Sequence, residues 1–209
     1  MKAVIFDMDG VISDTQSLAA EVESKIFSRY GVDISAEKCT RVYAGTPHHM
    51  MYSTEFKKVG IEVDIDHVVK ETWDILLNSE ELVKPIDGIF YLIRLLEDNN
   101  YKLAVASGSI PKFIDMILKK LDIKDRFSAI VSAIEVKNGK PAPDIFLYTA
   151  KKLKIHPKDC VVIEDGVNGM VAAREAGMKC IGLTTDKMAP SDIKVTSLKE
   201  IDARLIESL

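Results

Sequence analysis

Hydrophobic residues along this chain fall into two rhythms, and the places where one gives way to the other outline its architecture. Short runs at Ala3–Phe6, Leu103–Ala106, Ala129–Ser132, Val161–Ile163 and Cys180–Leu183 are apolar without alternation. That pattern predicts strands covered on both faces, as in a parallel sheet. Between them the spacing changes to three and four. Gly88–Asp98 carries Ile89, Leu92, Ile93 and Leu96, and Pro111–Leu121 carries Phe113, Ile114, Ile117, Leu118 and Leu121, with Pro111 suited to a first helical turn. Asp144–Leu153 and Val167–Ala176 follow, the latter stopped by Gly177. Strands alternating with helices in this way predict a doubly wound α/β fold.

One stretch departs from the alternation. Between the first strand and Gly88 lie about seventy residues with no strand pattern. Leu18, Val22, Ile26 and Tyr30 form a helical stripe ended by Gly31. His48–Val59 and Asp66–Leu77 read as further helices, the second with Val69, Trp73, Leu76 and Leu77 on its apolar side. A structureless loop of that length is rare in a compact domain, so an all-helical insertion is expected. It enters near Thr15 and leaves near Val83-Lys84-Pro85.

Composition narrows the classes without choosing among them. The chain has 209 residues, 47% hydrophobic and 29% charged, enough for one core with a modest insertion. A formal charge of -4 gives no basic footprint for a nucleic-acid backbone. Cys39, Cys160 and Cys180 are widely separated and fit reduced, buried thiols. No apolar run approaches the roughly 20 residues of a membrane span, and the N-terminus does not fit a signal peptide. A soluble cytoplasmic protein is expected, monomeric or weakly dimeric, with neither nucleic acid nor membrane as partner.

Charge at the predicted strand ends is where the chemistry enters. Ligands of an open parallel sheet bind beyond the carboxyl ends of its strands. The first strand ends in Asp7 and Asp9, the second in Ser107-Gly108-Ser109 and the fourth in Glu164-Asp165-Gly166, while Lys140 follows the third. Four carboxylates on one edge repel one another and raise their own pKa values unless a cation intervenes. Oxygen donors with no soft ligand point to a hard ion, Mg²⁺. The set suits phosphoryl transfer, with Asp7 as nucleophile and Asp9 as proton donor and then acceptor. Ser107 and Lys140 can hold the phosphoryl oxygens, helped by main-chain N–H groups such as that of Gly108. Asp165 can bind the metal directly, with Glu164 beside it. Phosphate-monoester hydrolysis can require ~28 kcal/mol of barrier reduction, and a positioned acid supplies only ~3–5 of it. The rest falls to positioning and electrostatics.

These motifs resemble those of the haloacid dehalogenase-like superfamily over essentially the whole chain. The matching residues are Asp7-Met8-Asp9-Gly10-Val11, Ala106-Ser107-Gly108-Ser109 and Gly139-Lys140-Pro141-Ala142-Pro143-Asp144. Ile163-Glu164-Asp165-Gly166-Val167-Asn168-Gly169 and Ala172-Ala173-Arg174-Glu175-Ala176-Gly177 complete the set. The resemblance implies that Asp7, the Asp9 carbonyl and Asp165 hold Mg²⁺, that Asp9 is the acid/base, and that Ser107 and Lys140 bind phosphate. It implies a Rossmann-like core of residues 1–15 and 83–209, with residues 16–82 as a helical cap like that of β-phosphoglucomutases and phosphoglycolate or sugar-phosphate phosphatases. His48, in Gly45-Thr46-Pro47-His48-His49, reads either as a substrate contact from the cap or as a polar residue opening a cap helix. Trp73, Tyr43 and Met50-Met51 read as cap packing, and His67 and His156 as surface. The serines near Ser107 are also expected to cap the helix at Pro111.

The expected activity is therefore Mg²⁺-dependent hydrolysis of a small phosphorylated metabolite such as a sugar phosphate. A phosphomutase is the main rival. In the β-phosphoglucomutase pattern a cap-helix histidine would fall at Ala19, and a Gly-Val-Ser-Arg hinge would correspond to Gly45-Thr46-Pro47-His48, so two of its groups are missing or replaced. A dehalogenase would need neither Asp9 nor a metal. A non-enzymatic phospho-aspartate switch or binding module would not keep Asp9, which discharges an acyl phosphate quickly.

Overall fold

Val4 and Phe6 of the first strand pack into one hydrophobic layer and Ala3 and Ile5 into another, so every position of the run is buried. The computed structural model describes residues 2–43 and 46–209. This strand, β1 (Ala3–Phe6), is central in a six-stranded sheet of order β3-β2-β1-β4-β5-β6. The others are β2 (Lys102–Ser107), β3 (Ala129–Ser132), β4 (Cys160–Glu164), β5 (Lys179–Leu183) and β6 (Ile193–Val195). All neighbours are parallel, and Phe6 stands beside Val105 of β2 and Ile163 of β4.

Helices cover both faces, which gives the expected Rossmann-like, doubly wound arrangement. Val4, Phe6, Val105 and Ile163 share a layer with α5 (Ile89–Asp98) and α6 (Pro111–Lys120). Ile5, Ala104 and Val162 share one with α7 (Asp144–Leu153) and α8 (Val167–Glu175). Each fully buried Leu, Ile or Phe in these layers contributes ~1.5–3 kcal/mol. Pro111 does open α6, but the residue before it, Ile110, is the cap and no side chain caps the helix. The expectation that Ser107 or Ser109 would do so is corrected: both hydroxyls reach Asp9 instead.

Between β1 and α5 the chain forms α1 (Thr15–Arg29), α2 (Ala36–Tyr43), α3 (His48–Lys58) and α4 (Ile65–Leu77). Phe27, Tyr52 and Phe56 are fully or almost fully buried among them, with ring centroids 4.9–5.9 Å apart. The Tyr52 hydroxyl lies 2.8 Å from Thr72 Oγ1, so the polar end of this aromatic cluster is satisfied. The incoming and outgoing chains run side by side, through Asp14 N–H to Lys84 O at 2.9 Å and Ile86 N–H to Ile12 O at 3.0 Å. A short α9 (Ala203–Glu207) closes the chain. Among the described residues no helix is long and apolar enough to cross a membrane.

Candidate active site

From β1 the sheet grows outward to β2 and β3, then returns past β1 to add β4, β5 and β6 on the other side. The crevice of such a sheet opens where the order reverses, between the carboxyl ends of β1 and β4. Asp7 continues the ladder one residue past β1, its N–H donating to Ile163 O at 3.0 Å, and Glu164 is the last residue of β4. The chain then turns sharply, Ile12 N–H donating to Met8 O at 2.9 Å and Gly10 N–H to Ser13 O at 2.8 Å. Gly10 has φ +92°, and a Cβ there would lie 2.2 Å from Asp165 Oδ2. A Cβ on Gly169 of α8 would lie 1.9 Å from Glu164 Oε2. These two glycines leave the space that two of the acids fill.

Lys140 sits among those acids. Its Nζ donates to Asp7 Oδ1 at 2.5 Å and to Glu164 Oε2 at 2.7 Å, and it lies 5.2 Å from the ring centroid of Phe146. The side chains of all three are at most 8% exposed. Burial, then the charge of Glu164, pushes the Asp7 carboxyl well above the usual carboxylate range, and Lys140 offsets only part of this. The same two causes push Asp165 up to about 8. Burial works against the Lys140 ammonium, but Asp7 and Glu164 outweigh it and raise its pKa. Asp7, Glu164 and Asp165 each offer an oxygen within 4.8 Å of the others. Three carboxylates against one ammonium, with oxygen donors alone, fit a hard divalent cation such as Mg²⁺.

Asp9 stands apart from that group. Its Oδ1 accepts from Thr15 Oγ1 at 2.5 Å, and its Oδ2 accepts from Ser109 Oγ at 2.9 Å and Ser107 Oγ at 3.2 Å. Ser107 is fully buried, its oxygen also accepting from Ser109 N–H at 3.0 Å.

Over this edge lies a cavity of about 110 Å³. Asp7, Asp9, Gly108, Lys140, Glu164 and Asp165 line its sheet side, and Glu23, Tyr43, His48 and Trp73 line its helical side. His48 Nε2 lies 2.9 Å from Glu23 Oε1, and the His48 and Trp73 ring centroids are 4.7 Å apart. Trp73 also meets Phe113 of α6 at 5.5 Å between centroids, so the two walls touch beside the cavity.

The family model of haloacid dehalogenase-like hydrolases matches residues 4–183. The chain belongs to that family. Among curated relatives, this haloacid dehalogenase-like hydrolase is 31% identical to a β-phosphoglucomutase of Bacillus subtilis, over 99% of this chain and 94% of the other. It is 30% identical to a phosphorylated carbohydrates phosphatase of Thermotoga maritima, over 87% and 84%. Its fold superposes on a crystal structure of β-phosphoglucomutase from Clostridium difficile with a TM-score of 0.90 and 27% identity, covering 100% of this chain and 96% of that one.

Within this hydrolase the motif residues Asp7, Asp9, Gly108, Lys140, Glu164 and Asp165 meet on one wall, and Ser107 lies just beneath it. His48 does open a helix, and it also lines the cavity. His67 and His156 are exposed, as expected. Trp73 and Tyr43, read as cap packing, stand on the cavity wall, while Met51 is buried and Met50 exposed. Gly45 of the His48 loop lies outside the described residues. The contacts of Thr15 and Ser109 with Asp9, and Glu23 altogether, escaped the sequence reading. Glu23 left one signal, an acid beside Val22 and Ile26 on the buried side of α1.

Proposed function

We propose that this chain is a Mg²⁺-dependent hydrolase of small phosphate monoesters, sugar phosphates in particular, acting through an aspartyl phosphate on Asp7. The observation that carries the reading is the pairing of two unlike aspartates. Asp7 is buried against Lys140 and two further acids, while Asp9, two residues on, is held by hydroxyls alone.

Asp7 attacks phosphorus, and the ester oxygen departs with a proton from Asp9. Lys140 holds charge on the phosphoryl oxygens. Asp9 then removes a proton from a water that attacks the acyl phosphate, releasing phosphate and restoring both aspartates. Asp7, Asp165 and the Asp9 carbonyl would hold Mg²⁺, with Glu164 beside it. When bound it neutralises the charge of the phosphoryl oxygens. Residues 16–82 act as a cap that excludes water while the acyl phosphate forms, over a core of residues 1–15 and 83–209. Three free, buried thiols suit a reducing compartment, the cytoplasm.

Similarity to a β-phosphoglucomutase keeps phosphoryl transfer between sugar hydroxyls as the second reading. Ala19 weighs against it. This position, where the mutase pattern has histidine, lines the cavity with a methyl group that can make no hydrogen bond. Release of phosphate from p-nitrophenyl phosphate and a sugar-phosphate panel tests the proposal. Turnover requires Mg²⁺, stops with EDTA and is absent in Asp7→Asn. Activity that survives either change overturns the mechanism. Conversion of β-glucose 1-phosphate to glucose 6-phosphate without free phosphate overturns hydrolysis.

A further inference from the structure

The cavity has two chemically unlike ends. Four of its five carboxylates sit at the sheet edge, and Glu23 of α1 is the one contributed by the helical side. Among the described residues only one lysine or arginine lines it, Lys140, and that ammonium is already shared by Asp7 and Glu164. Residues 44 and 45 are Ala and Gly and bring no cation.

At the helical end, Glu23 and His48 are paired at 2.9 Å, each side chain about nine-tenths buried. A carboxylate oxygen only accepts, so His48 Nε2 carries the proton and donates it to Glu23. The other ring nitrogen, Nδ1, is buried with no hydrogen-bond partner. Buried polar atoms are rarely left unpaired in a folded protein, so an orphan on a cavity wall points to a ligand hydroxyl. Trp73 lies against the same imidazole and adds an apolar face, while Gln16 and Thr46 add neutral hydrogen-bonding groups to the wall.

We propose that Glu23, His48 and Trp73 form a leaving-group subsite that takes the neutral, hydroxyl-bearing body of a singly phosphorylated compound and rejects a second anionic group. The inference rests on the reading of Asp7 as phosphoryl acceptor, which fixes the phosphate at the sheet end. A hydroxyl, donor and acceptor in one group, can pair with His48 Nδ1, and the C–H face of a sugar or polyol can lie on the indole. A carboxylate or second phosphate would instead face Glu23 with no lysine or arginine among the described residues free to pair with it, and between two protein walls that repulsion is less screened than in bulk water. A mutase passing through a doubly phosphorylated sugar would meet the same obstacle.

Matched ligand pairs test this. Isothermal titration of the Asp7→Asn protein with saturating Mg²⁺ measures glucose 6-phosphate against glucose 1,6-bisphosphate, and glucitol 6-phosphate against 6-phosphogluconate. Each neutral-bodied member is expected to bind at least about tenfold tighter than its partner, as one uncompensated charge at an effective dielectric near 20 allows. Glu23→Gln, added in the same protein, is expected to narrow both ratios to about threefold or less. Equal or tighter binding of the doubly anionic members, no binding of any ligand, or unchanged ratios in folded Glu23→Gln would each overturn the subsite. If circular dichroism shows that variant unfolded, the affinity order with Glu23 intact decides alone. Failure of the phosphatase reading shows separately, as ester binding in this order while the protein with Asp7 intact frees no phosphate.

Discussion

Asp9 is held at both carboxylate oxygens, by Thr15 on one side and by Ser107 and Ser109 on the other, whereas Asp7 is held by an ammonium. The hydroxyls place Asp9 where it can pass a proton, and the ammonium offsets part of the burial that disfavours a charged Asp7. Asp9→Asn is therefore expected to lower kcat by about 10²–10⁴-fold, the range of a positioned acid, with KM little changed; steady-state kinetics measure both. The glycines beside the acids matter as much as the acids do. Gly169→Ala sets a methyl group where Glu164 Oε2 now lies, so Glu164 must move. Displacing a group that orients metal ligands costs about 10–100-fold in metal affinity, which Mg²⁺ titration of the activity reads out. At this scale Asp7, Ser107 and Glu164-Asp165 were legible because each is a charged or hydroxyl group at the end of an apolar run, and Lys140, in a loop after Ala129–Ser132, only through its motif. Thr15, Ser109 and Glu23 were not, because their roles come from partners distant in sequence or on a neighbouring turn.

Elements with a strong period could be read almost to the residue, and those without one were passed over. Asp144–Leu153 matches its helix because Ile145, Phe146, Thr149, Ala150 and Leu153 make a continuous buried stripe. Ala36–Tyr43 buries Cys39 alone, and Ile193–Val195 is a three-residue edge strand carrying Lys194, so neither has a stripe or run to detect. What holds α2 to α3 is polar instead. Glu55 is 5% exposed and accepts from Lys58 at 2.5 Å and from Tyr43, with Lys38 at 3.4 Å. Burial alone would raise its pKa, but the hydrogen bonds from Lys58 and Tyr43 and the charge of Lys38 outweigh it and hold it below the usual range. A depressed folded-state pKa gives stability that is present above the unfolded value near 4.3 and lost as pH falls through the folded one. Glu55→Gln is accordingly expected to cost about 1.5–3 kcal/mol at pH 7, and the difference to shrink towards zero as pH is lowered past 4. Urea denaturation of both proteins across pH 3–7 measures it.

On the scale of the whole molecule, five of the six strands were legible from their apolar runs, but the meeting of helical segment and sheet edge was not. No local pattern says that Glu23 and Trp73 stand opposite Asp7 and Lys140. The sheet edge itself gathers acids, Asp7, Glu164 and Asp165, which the fold alone would be better without. Asp165 is pushed up to about 8 by burial and by Glu164, so without a cation the site strains the structure around it. Metal-free Asp165→Asn is then expected to melt higher than the metal-free protein with Asp165 intact, by about 2–4 °C per kcal/mol of repulsion relieved in a chain of this size. Mg²⁺ at a hundred times its Kd would stabilise the intact site by about 2.7 kcal/mol, or roughly 5–11 °C, and would stabilise the variant far less. Scanning calorimetry with and without Mg²⁺ separates the two effects. A lower metal-free Tm in Asp165→Asn would mean that the carboxylate supports the fold by itself. A full Mg²⁺ response in that variant would mean that the cation is held without it. The expected crossing, with the variant more stable bare and the intact site more stable with Mg²⁺, follows from the proposal that this carboxylate cluster holds the ion.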